Sequence, residues 1–307
     1  MKRREFIKKS VSAGIITGTA WSVIGFDKAF ADSIEPQGPY DLVAVMGGDP
    51  AIMFDKAIAS MGGLKKYVKP GAKVTIKPNI GWDAIPEKAA NTNPELVGHI
   101  VAQCYKAGAK SVYVFDNTVN EWTRCYKNSG IEDAVKKAGG TMVTGKSETH
   151  YKNISIPKGK ILKEAKIHEL MLDTDLVINV PVLKNHDGAQ LTIAMKNLMG
   201  VVWNRKFWHA NDLNQCIADF ATFCKPTLNV VDCFRVMKRN GPRGVSVSDV
   251  VDMKSLLISE DIVAVDAAAT KMFGLEPDQV GYIKIAHAMG IGQKDLSKIK
   301  INKIKIS

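Results

Sequence analysis

Short apolar runs alternate with amphipathic stretches along most of the chain. The apolar runs, which predict β-strands, are residues 41–46, 73–77, 111–115, 176–183, 227–231 and 255–259. The stretches with helical spacing are residues 50–61, 93–107, 131–138, 189–198, 213–223, 262–272 and 280–289. Because the strands are continuously apolar and separated by helices, the pattern predicts an α/β fold, a mostly parallel sheet flanked by helices in Rossmann-like layers.

One polar segment interrupts this pattern. Residues 146–166 are rich in lysine and contain several glycines and prolines, which predicts a small irregular or antiparallel insertion. The sequence shows no internal repeat and no low-complexity tract. We therefore expect residues 32–307 to form one α/β domain, with a division into two lobes as the alternative.

The first 31 residues have the composition of an export signal. Arg3 and Arg4 stand in a basic start, residues 10–26 carry no charge, and residues 29–31 (Ala-Phe-Ala) form a small-x-small cleavage site. The arginine pair resembles the twin-arginine signal, whose translocase exports folded proteins. We expect that translocase as a partner, cleavage before Asp32, and a periplasmic or otherwise extracytoplasmic protein. An uncleaved signal that tethers the protein is the alternative.

The net charge of the chain and the spacing of its cysteines exclude some classes of function and favour others. The chain has 42 basic and 31 acidic residues; six and two of these lie in the first 31 positions, which leaves a net charge of +7 after cleavage. Basic residues are not interleaved with aromatic ones, so a nucleic-acid role is not expected. The charge favours a small anionic ligand or an acidic partner such as a redox protein. The five cysteines lack the spacing of an iron–sulfur or zinc site, and no metal site is predicted.

Polar side chains follow four of the predicted strands where each strand ends. These residues are Lys77, Asn79, Asp116, Asn117, Lys184, His186 and Asp232. Ligands of open parallel sheets bind at the carboxyl ends of the strands, so these side chains are candidates for one site. A lysine close to the core can hold an anion or, without its proton, act as a base. For any single position, the alternative is an ordinary polar loop residue.

Three further groups are candidates. Lys196 and Asn197 interrupt an apolar stretch, although a solvated helix face would explain them equally well. His209 stands among tryptophans and a phenylalanine, either as a site residue or as a loop histidine. The Gly-rich basic turn holds Asn240, Gly241 and Arg243, which suit either an anion or a simple turn. Of all candidates, we assign proton transfer to Lys77, Lys184, His186 and His209, and ligand or cofactor binding to the others.

Several motifs resemble those of the domain-of-unknown-function 362 family. They are Lys77-Pro78-Asn79, residues 179–186 (NVPVLKNH), residues 195–200 (MKNLMG), Asn240-Gly241-Pro242 and residues 261–266 (DIVAVD). Residues 68–76 and 107–109 are also similar to the N-terminal half of lactate racemase-like proteins, which bind a nickel-pincer nucleotide. Asp116-Asn117 stands where those proteins have a histidine pair, so this resemblance does not imply nickel here.

Together these features predict an exported enzyme that binds a small anionic substrate, or an organic or metal cofactor of unspecified identity, at the strand ends. Proton transfer or redox chemistry would suit the lysines and histidines. The alternative is a binding, maturation or electron-transfer partner protein that performs no chemistry.

Overall fold

A computed structural model describes residues 25–31 and 38–307. Its strands are β1 (Leu42–Met46), β2 (Lys73–Pro78), β3 (Ser111–Val114), β4 (Thr141–Met142), β5 (Tyr151–Ser155), β6 (Glu164–His168), β7 (Leu176–Val180), β8 (Val182–His186), β9 (Gln190–Thr192), β10 (Leu228–Met237), β11 (Val250–Ser259) and β12 (Ile301–Lys305). Its helices are α1 (Pro50–Ser60), α2 (Pro94–Ala107), α3 (Trp122–Asn128), α4 (Ile131–Lys137), α5 (Leu170–Asp173), α6 (Ala194–Asn197), α7 (Lys206–Ala210), α8 (Leu213–Phe223), α9 (Ile262–Phe273) and α10 (Gly281–Ala288). A short helical stretch at residues 25–29 precedes them.

The main sheet has the strand order β12-β1-β11-β10-β7-β2-β3-β4. Most neighbours are parallel, whereas β11 runs antiparallel to both β1 and β10. β8 continues the line of β7 and pairs with β10, and β9 pairs with β8. The predicted α/β fold with a mostly parallel sheet is therefore confirmed.

Two hydrophobic clusters cover the two faces of this sheet. Successive residues of a strand point to opposite faces, so Val43 and Val45 join one cluster while Leu42 and Ala44 join the other. Helices α1–α4 pack on the first face and α6–α10 on the second. Both faces are dry, which explains why the strand sequences are continuously apolar.

The insertion is a two-stranded antiparallel hairpin of β5 and β6, in which Tyr151 pairs with His168. It forms a separate sheet and packs on the α6–α10 side of the main sheet through Ile167 and Leu162. The antiparallel insertion predicted from residues 146–166 is confirmed, although β6 extends two residues beyond the predicted end.

Two sequence predictions near the site were wrong. Residues 189–198 were expected to be one helix, but they form β9 and then the short helix α6, whose first amides are bound by the carboxylate of Asp266. The run 176–183 was expected to be one strand, but it is divided at Pro181, which has no amide hydrogen for the ladder. The strands at 228–237 and 250–259 are longer than predicted, and β12 and α3 were not predicted.

The described end of the predicted export signal packs on the domain. Phe26, Ala29 and Phe30 are buried in the cluster on the α6–α10 face. Asp27 forms an ion pair of 2.7 Å with Lys305 of β12. The arginine pair at positions 3 and 4 lies outside the described residues. Within the described ranges, no helix has the length and apolar character needed to cross a membrane.

Candidate functional site

A cavity of about 1710 Å³ lies at the carboxyl ends of β2, β3 and β8. The hairpin of β5 and β6 and the segment around α7 form its other walls. Seven of the candidate residues line it, and they are Asn79, Asp116, Lys184, His186, Lys196, Asn197 and His209. The structure therefore brings candidates from β2, β3, β8, α6 and α7 into one place.

A buried ion pair lies at the edge of the cavity, which Asp116 lines and Lys77 does not. The Nζ of Lys77 lies 3.1 Å from Oδ1 of Asp116, and neither side chain is more than 4% exposed. Oδ2 of Asp116 accepts the Ile80 amide at 2.7 Å. Burial lowers the pKa of Lys77, and the charge of Asp116 opposes that shift. Asp116 is paired with Lys77 at this distance, and its charge also opposes the effect of burial on the pKa of Lys184 and Arg205.

Gly200, in the 3-10 helix of residues 198–201 that follows α6, allows this pair to lie against the backbone. A Cβ added at Gly200 would lie 2.0 Å from Oδ1 of Asp116 and 2.8 Å from Nζ of Lys77. Any larger residue would have to displace the two charged groups. The glycine that ends the MKNLMG motif is therefore required by close approach rather than by a turn.

A chain of side-chain amides leads from the sheet to Lys184. Asn179 donates to Asn229 at 3.0 Å, Asn197 donates to Asn179 at 2.8 Å, and Asn79 donates to Asn197 at 3.0 Å. Oδ1 of Asn79 then accepts from Nζ of Lys184 at 3.0 Å. Each amide in the chain therefore presents an oxygen to the next donor, which fixes its orientation.

Lys184 is buried without a counter-ion. Its exposed fraction is 1%, and its amine donates to Asn79 and to the carbonyl of Ala90. Both acceptors are neutral, and no carboxylate of the described residues lies within 4.0 Å of the amine. Burial, with repulsion from Lys196, lowers the pKa of Lys184 to about 7.

Lys196 is the second buried cation. It is 8% exposed, and the hydrogen-bond acceptor found for its amine within the described chain is the thioether of Met199 at 3.3 Å. A thioether is a weak acceptor and carries no charge. Burial, with repulsion from Arg205, lowers the pKa of Lys196 to about 7. Arg205 is half-buried and donates to the Thr118 carbonyl at 3.1 Å.

The two histidines face the same group of charges. Burial lowers the pKa of His186 to about 3, and Lys196, Lys184 and His209 add repulsion. Burial also lowers the pKa of His209, to which Lys196 and Arg205 contribute. Both imidazoles are therefore favoured in the neutral form near pH 7 and can act as acceptors or as neutral donors.

A family model described as a domain of unknown function, DUF362, matches residues 74–271. The chain belongs to the DUF362 family. The match includes all the side chains that line the cavity. A thylakoid-associated protein of Synechocystis is 26% identical over 247 residues, which are 75% of this chain and 72% of that protein.

Two solved structures resemble this DUF362 chain. One is the lactate racemase apoprotein from Thermoanaerobacterium thermosaccharolyticum, with a TM-score of 0.48, 12% identity, and coverage of 74% of this chain and 56% of that one. The other is a protein from Thermotoga maritima, with a TM-score of 0.43, 9% identity, and coverage of 78% and 60%. The chain spans somewhat more than half of either structure.

Some DUF362 motif residues hold the cavity in place from outside it. Asp266 is fully buried, and its two oxygens accept the amides of Ala194 and Met195 at 2.7 and 3.0 Å. It thereby fixes the start of α6, the helix that carries Lys196 and Asn197. Burial raises the pKa of Asp266 to about 8, against the effect of its two amide donors.

Six candidates do not line the cavity: Lys77, which is fully buried in its ion pair with Asp116, and five others. Asn117 donates to the Val202 carbonyl at 2.9 Å, and Asp232 accepts the amides of Asn93 and Phe234. Burial raises the pKa of Asp232 to about 6. These contacts anchor the backbone around the site rather than reach into it.

The basic turn is likewise held by internal contacts. Asn240 donates to Asp249 at 2.7 Å, and the amide of Gly241 donates to Oδ1 of Asn185 at 3.0 Å. A Cβ at Gly241 would lie 1.9 Å from the Asn185 carbonyl oxygen. Arg243 is exposed and does not line the cavity, whereas Pro242 does.

Sequence reasoning missed several site residues. Asn179 and Asn229 were read as parts of strands, and Arg205 and Trp208 were treated as surroundings of His209. The two asparagines carried a usable signal, because each is an amide in the middle of an apolar strand and a buried amide requires partners. Within the described residues, no three His, Cys, Asp or Glu side chains are grouped so that they could hold a metal ion.

Proposed function

We propose that the cavity binds a small anion through Lys184, Lys196 and Arg205. The observation that supports this proposal is an excess of buried positive charge. The nearby carboxylate of Asp116 is already paired with Lys77, and no other carboxylate of the described chain lies within 4.0 Å of the three cations. Burying unpaired charge is costly, so an anionic ligand would relieve both desolvation and mutual repulsion.

The same lysines support a role in proton transfer. A lysine with a pKa of about 7 is unprotonated in a substantial fraction of molecules at neutral pH and can accept a proton. Lys184 is held by two acceptors, which leaves its remaining amine position for the ligand. We propose an enzyme that removes a proton next to the carboxylate or phosphate group held by Lys196 and Arg205.

Calorimetry with sulfate, phosphate, pyrophosphate and malate tests the binding step. Lys196→Met and Lys184→Met should each weaken binding by at least about tenfold, because a charged contact is lost. Lys238→Met is the matched control, since Lys238 is a partly buried lysine outside the cavity whose amine donates to the Phe273 carbonyl. Binding that is unchanged in both cavity variants would refute the proposal.

Exchange of carbon-bound hydrogen in D₂O tests the catalytic step. Malate and aspartate, each incubated with the protein, would be followed by NMR for deuterium at the carbon next to the carboxylate. Exchange that Lys184→Met abolishes would support the enzyme. Anion binding without exchange of any of these compounds would favour a binding protein.

We also propose export of the folded protein by the twin-arginine translocase to the periplasm. The support is the sequence of residues 1–31, with Arg3 and Arg4 in the basic start. Replacing both by lysine should leave the full-length chain in the cytoplasm, which cell fractionation measures. Export of the double variant at the normal level would contradict the proposal.

A further inference from the structure

The cavity is larger and more aromatic than a simple anion requires. Its volume of about 1710 Å³ exceeds the roughly 300–1,000 Å³ of a typical small-molecule site. A phosphate or a malate would fill only the region of the cations. The lining of the remaining space includes Trp82, Trp203, Phe207 and Trp208, together with polar and charged residues in or next to the hairpin such as Glu148, Glu164 and Lys166.

Two of these aromatic residues have groups that are available to a ligand: one has an unpaired N–H and the other an exposed ring. Trp208 is 1% exposed, and its indole Nε1 has no hydrogen-bond partner within the described chain. A buried indole N–H usually has an acceptor, so a ligand oxygen or nitrogen would complete it. Phe207 leaves 44% of its surface exposed at the same cavity, so its ring is accessible to a ligand there.

We infer that the ligand has two parts, a group with at least two negative charges and a planar aromatic body with a hydrogen-bond acceptor. The inference rests on the proposed anion site. The charged group would lie at Lys184, Lys196 and Arg205, where the cations exceed the available carboxylates. The aromatic body would lie against Trp203 and Phe207, because aromatic rings pack favourably on one another in offset or edge-on arrangements.

A set of four probes tests this inference on the full chain. Inorganic phosphate, phenyl phosphate, 1-naphthyl phosphate and uncharged 1-naphthol would be compared by calorimetry. We expect 1-naphthyl phosphate to bind at least about tenfold more tightly than inorganic phosphate, with phenyl phosphate between them and 1-naphthol the weakest. Phe207→Ala should remove most of the gain while inorganic phosphate binds as before. Trp208→Phe keeps the ring and removes the N–H. Because naphthalene carries no acceptor for that N–H, this variant is expected to bind 1-naphthyl phosphate as tightly as the unmodified chain does.

The outcomes separate the two proposals. If inorganic phosphate binds as tightly as 1-naphthyl phosphate and both require Lys196, the anion site stands and the two-part ligand is refuted. If none of the three phosphates binds, the anion site itself fails. If Phe207→Ala changes all three phosphates equally, the aromatic residues shape the fold and do not receive a ring, which also overturns the inference.

A different observation supports a second inference, about the region before the predicted cleavage site. Phe26 is 0% exposed and Phe30 is 1% exposed, and their rings contact each other edge to face at 5.3 Å. The ion pair of Asp27 with Lys305 fixes the same segment to the edge strand β12. A protease cuts a segment whose residues around the cut are exposed and unfolded. Ala31 is exposed, but Ala29 and Phe30, which precede it, are buried. We infer that the folded protein keeps residues 25–31 and is resistant to cleavage after Ala31.

Incubation of the purified full-length chain with signal peptidase in detergent tests this resistance without relying on export. The unmodified chain should stay intact by mass spectrometry, whereas Phe26→Ser with Phe30→Ser should be cut after Ala31. Phe223→Ser, at a partly exposed phenylalanine elsewhere, is the control and should stay intact. Equal rates of cutting for the unmodified chain and the double variant would overturn the inference. In cells, an exported protein that starts at Asp32 would overturn it independently.

Discussion

Replacing Lys196 with methionine should stabilise the ligand-free protein while destroying its anion site. Methionine has a similar length and fills the same space, but it brings no charge into the interior. The amine of Lys196 donates to a weak thioether acceptor, so the substitution gives up little hydrogen bonding. Stability and binding should therefore change in opposite directions, which is the behaviour of a functional charge and not of a structural one.

The increase in the free energy of unfolding that Lys196→Met causes depends on pH. A pKa lowered from 10.5 to about 7 corresponds to on the order of 5 kcal/mol, an upper limit because water and local relaxation reduce the cost. Below pH 7 Lys196 is charged in the folded and the unfolded chain, so the full penalty acts. Between pH 7 and 10.5 only the unfolded chain keeps the proton, and the penalty falls as the pH rises. The advantage of Lys196→Met should therefore be largest at pH 6 and clearly smaller at pH 9.

Urea unfolding of both proteins at pH 6 and pH 9, in a buffer without phosphate or sulfate, measures this difference. We expect Lys196→Met to raise the free energy of unfolding by ~2–5 kcal/mol at pH 6. Lys238→Met is expected to lower it, because Lys238 donates to the last carbonyl of α9 and lies 3.7 Å from the centre of the Phe273 ring. A Lys196→Met protein that is less stable than the unmodified protein at pH 6 would refute the inference that Lys196 is a buried charge without a counter-ion.

Three further outcomes follow from the same charges. When sulfate binds at pH 7, the protein should take up at most about one proton in total, because the anion raises the pKa of Lys184 and Lys196 from about 7. Calorimetry in two buffers of different ionisation enthalpy measures this uptake, and equal heats of binding in the two buffers would contradict it. Gly200→Ala should separate Lys77 from Asp116 and lower the free energy of unfolding by ~2–4 kcal/mol, since its Cβ would lie 2.0 Å from the carboxylate; an unchanged urea midpoint would show that the pair can move aside. Asp116→Asn should destabilise the ligand-free protein, and sulfate should raise its melting temperature more than it raises that of the unmodified chain, because the anion would also offset the unpaired charge of Lys77; an equal rise in both proteins would contradict this.

The sequence was sufficient to locate the cavity but not to assign every residue to it. Lys77, Asp116 and Lys184 could be grouped because parallel strands bring their carboxyl ends to one edge. The strand order of the sheet, on which β2 lies between β3 and β7, then makes these residues neighbours. Asp232 was grouped with them for the same reason, but it does not line the cavity, because its two oxygens accept the amides of Asn93 and Phe234.

The environment of Lys196 could not be predicted, for a physical reason. The sequence admitted a solvated helix face, which requires a helix long enough to have two faces. The structure instead has β9 followed by the four residues of α6, whose start is fixed by Asp266, 70 positions further along the chain. A contact over that distance is set by how α9 packs on the sheet, and helical periodicity within residues 189–198 carries no information about it.

The chain of amides explains how the fold tolerates these lysines. An uncharged acceptor such as the Asn79 oxygen satisfies the Lys184 amine without neutralising it, so the positive charge stays available to a ligand. A carboxylate at the same place would bind the amine more strongly, and the anion would then have to compete with it. In the chain from Asn229 to Asn79, hydrogen bonds between neighbouring side-chain amides fix where each amide oxygen points. The Asn79 oxygen is therefore in place as an acceptor before any ligand binds. Such preorganisation reduces the free-energy cost of reorganising the site when the anion binds. The buried cations thereby increase the affinity for the anion while they lower the stability of the ligand-free protein.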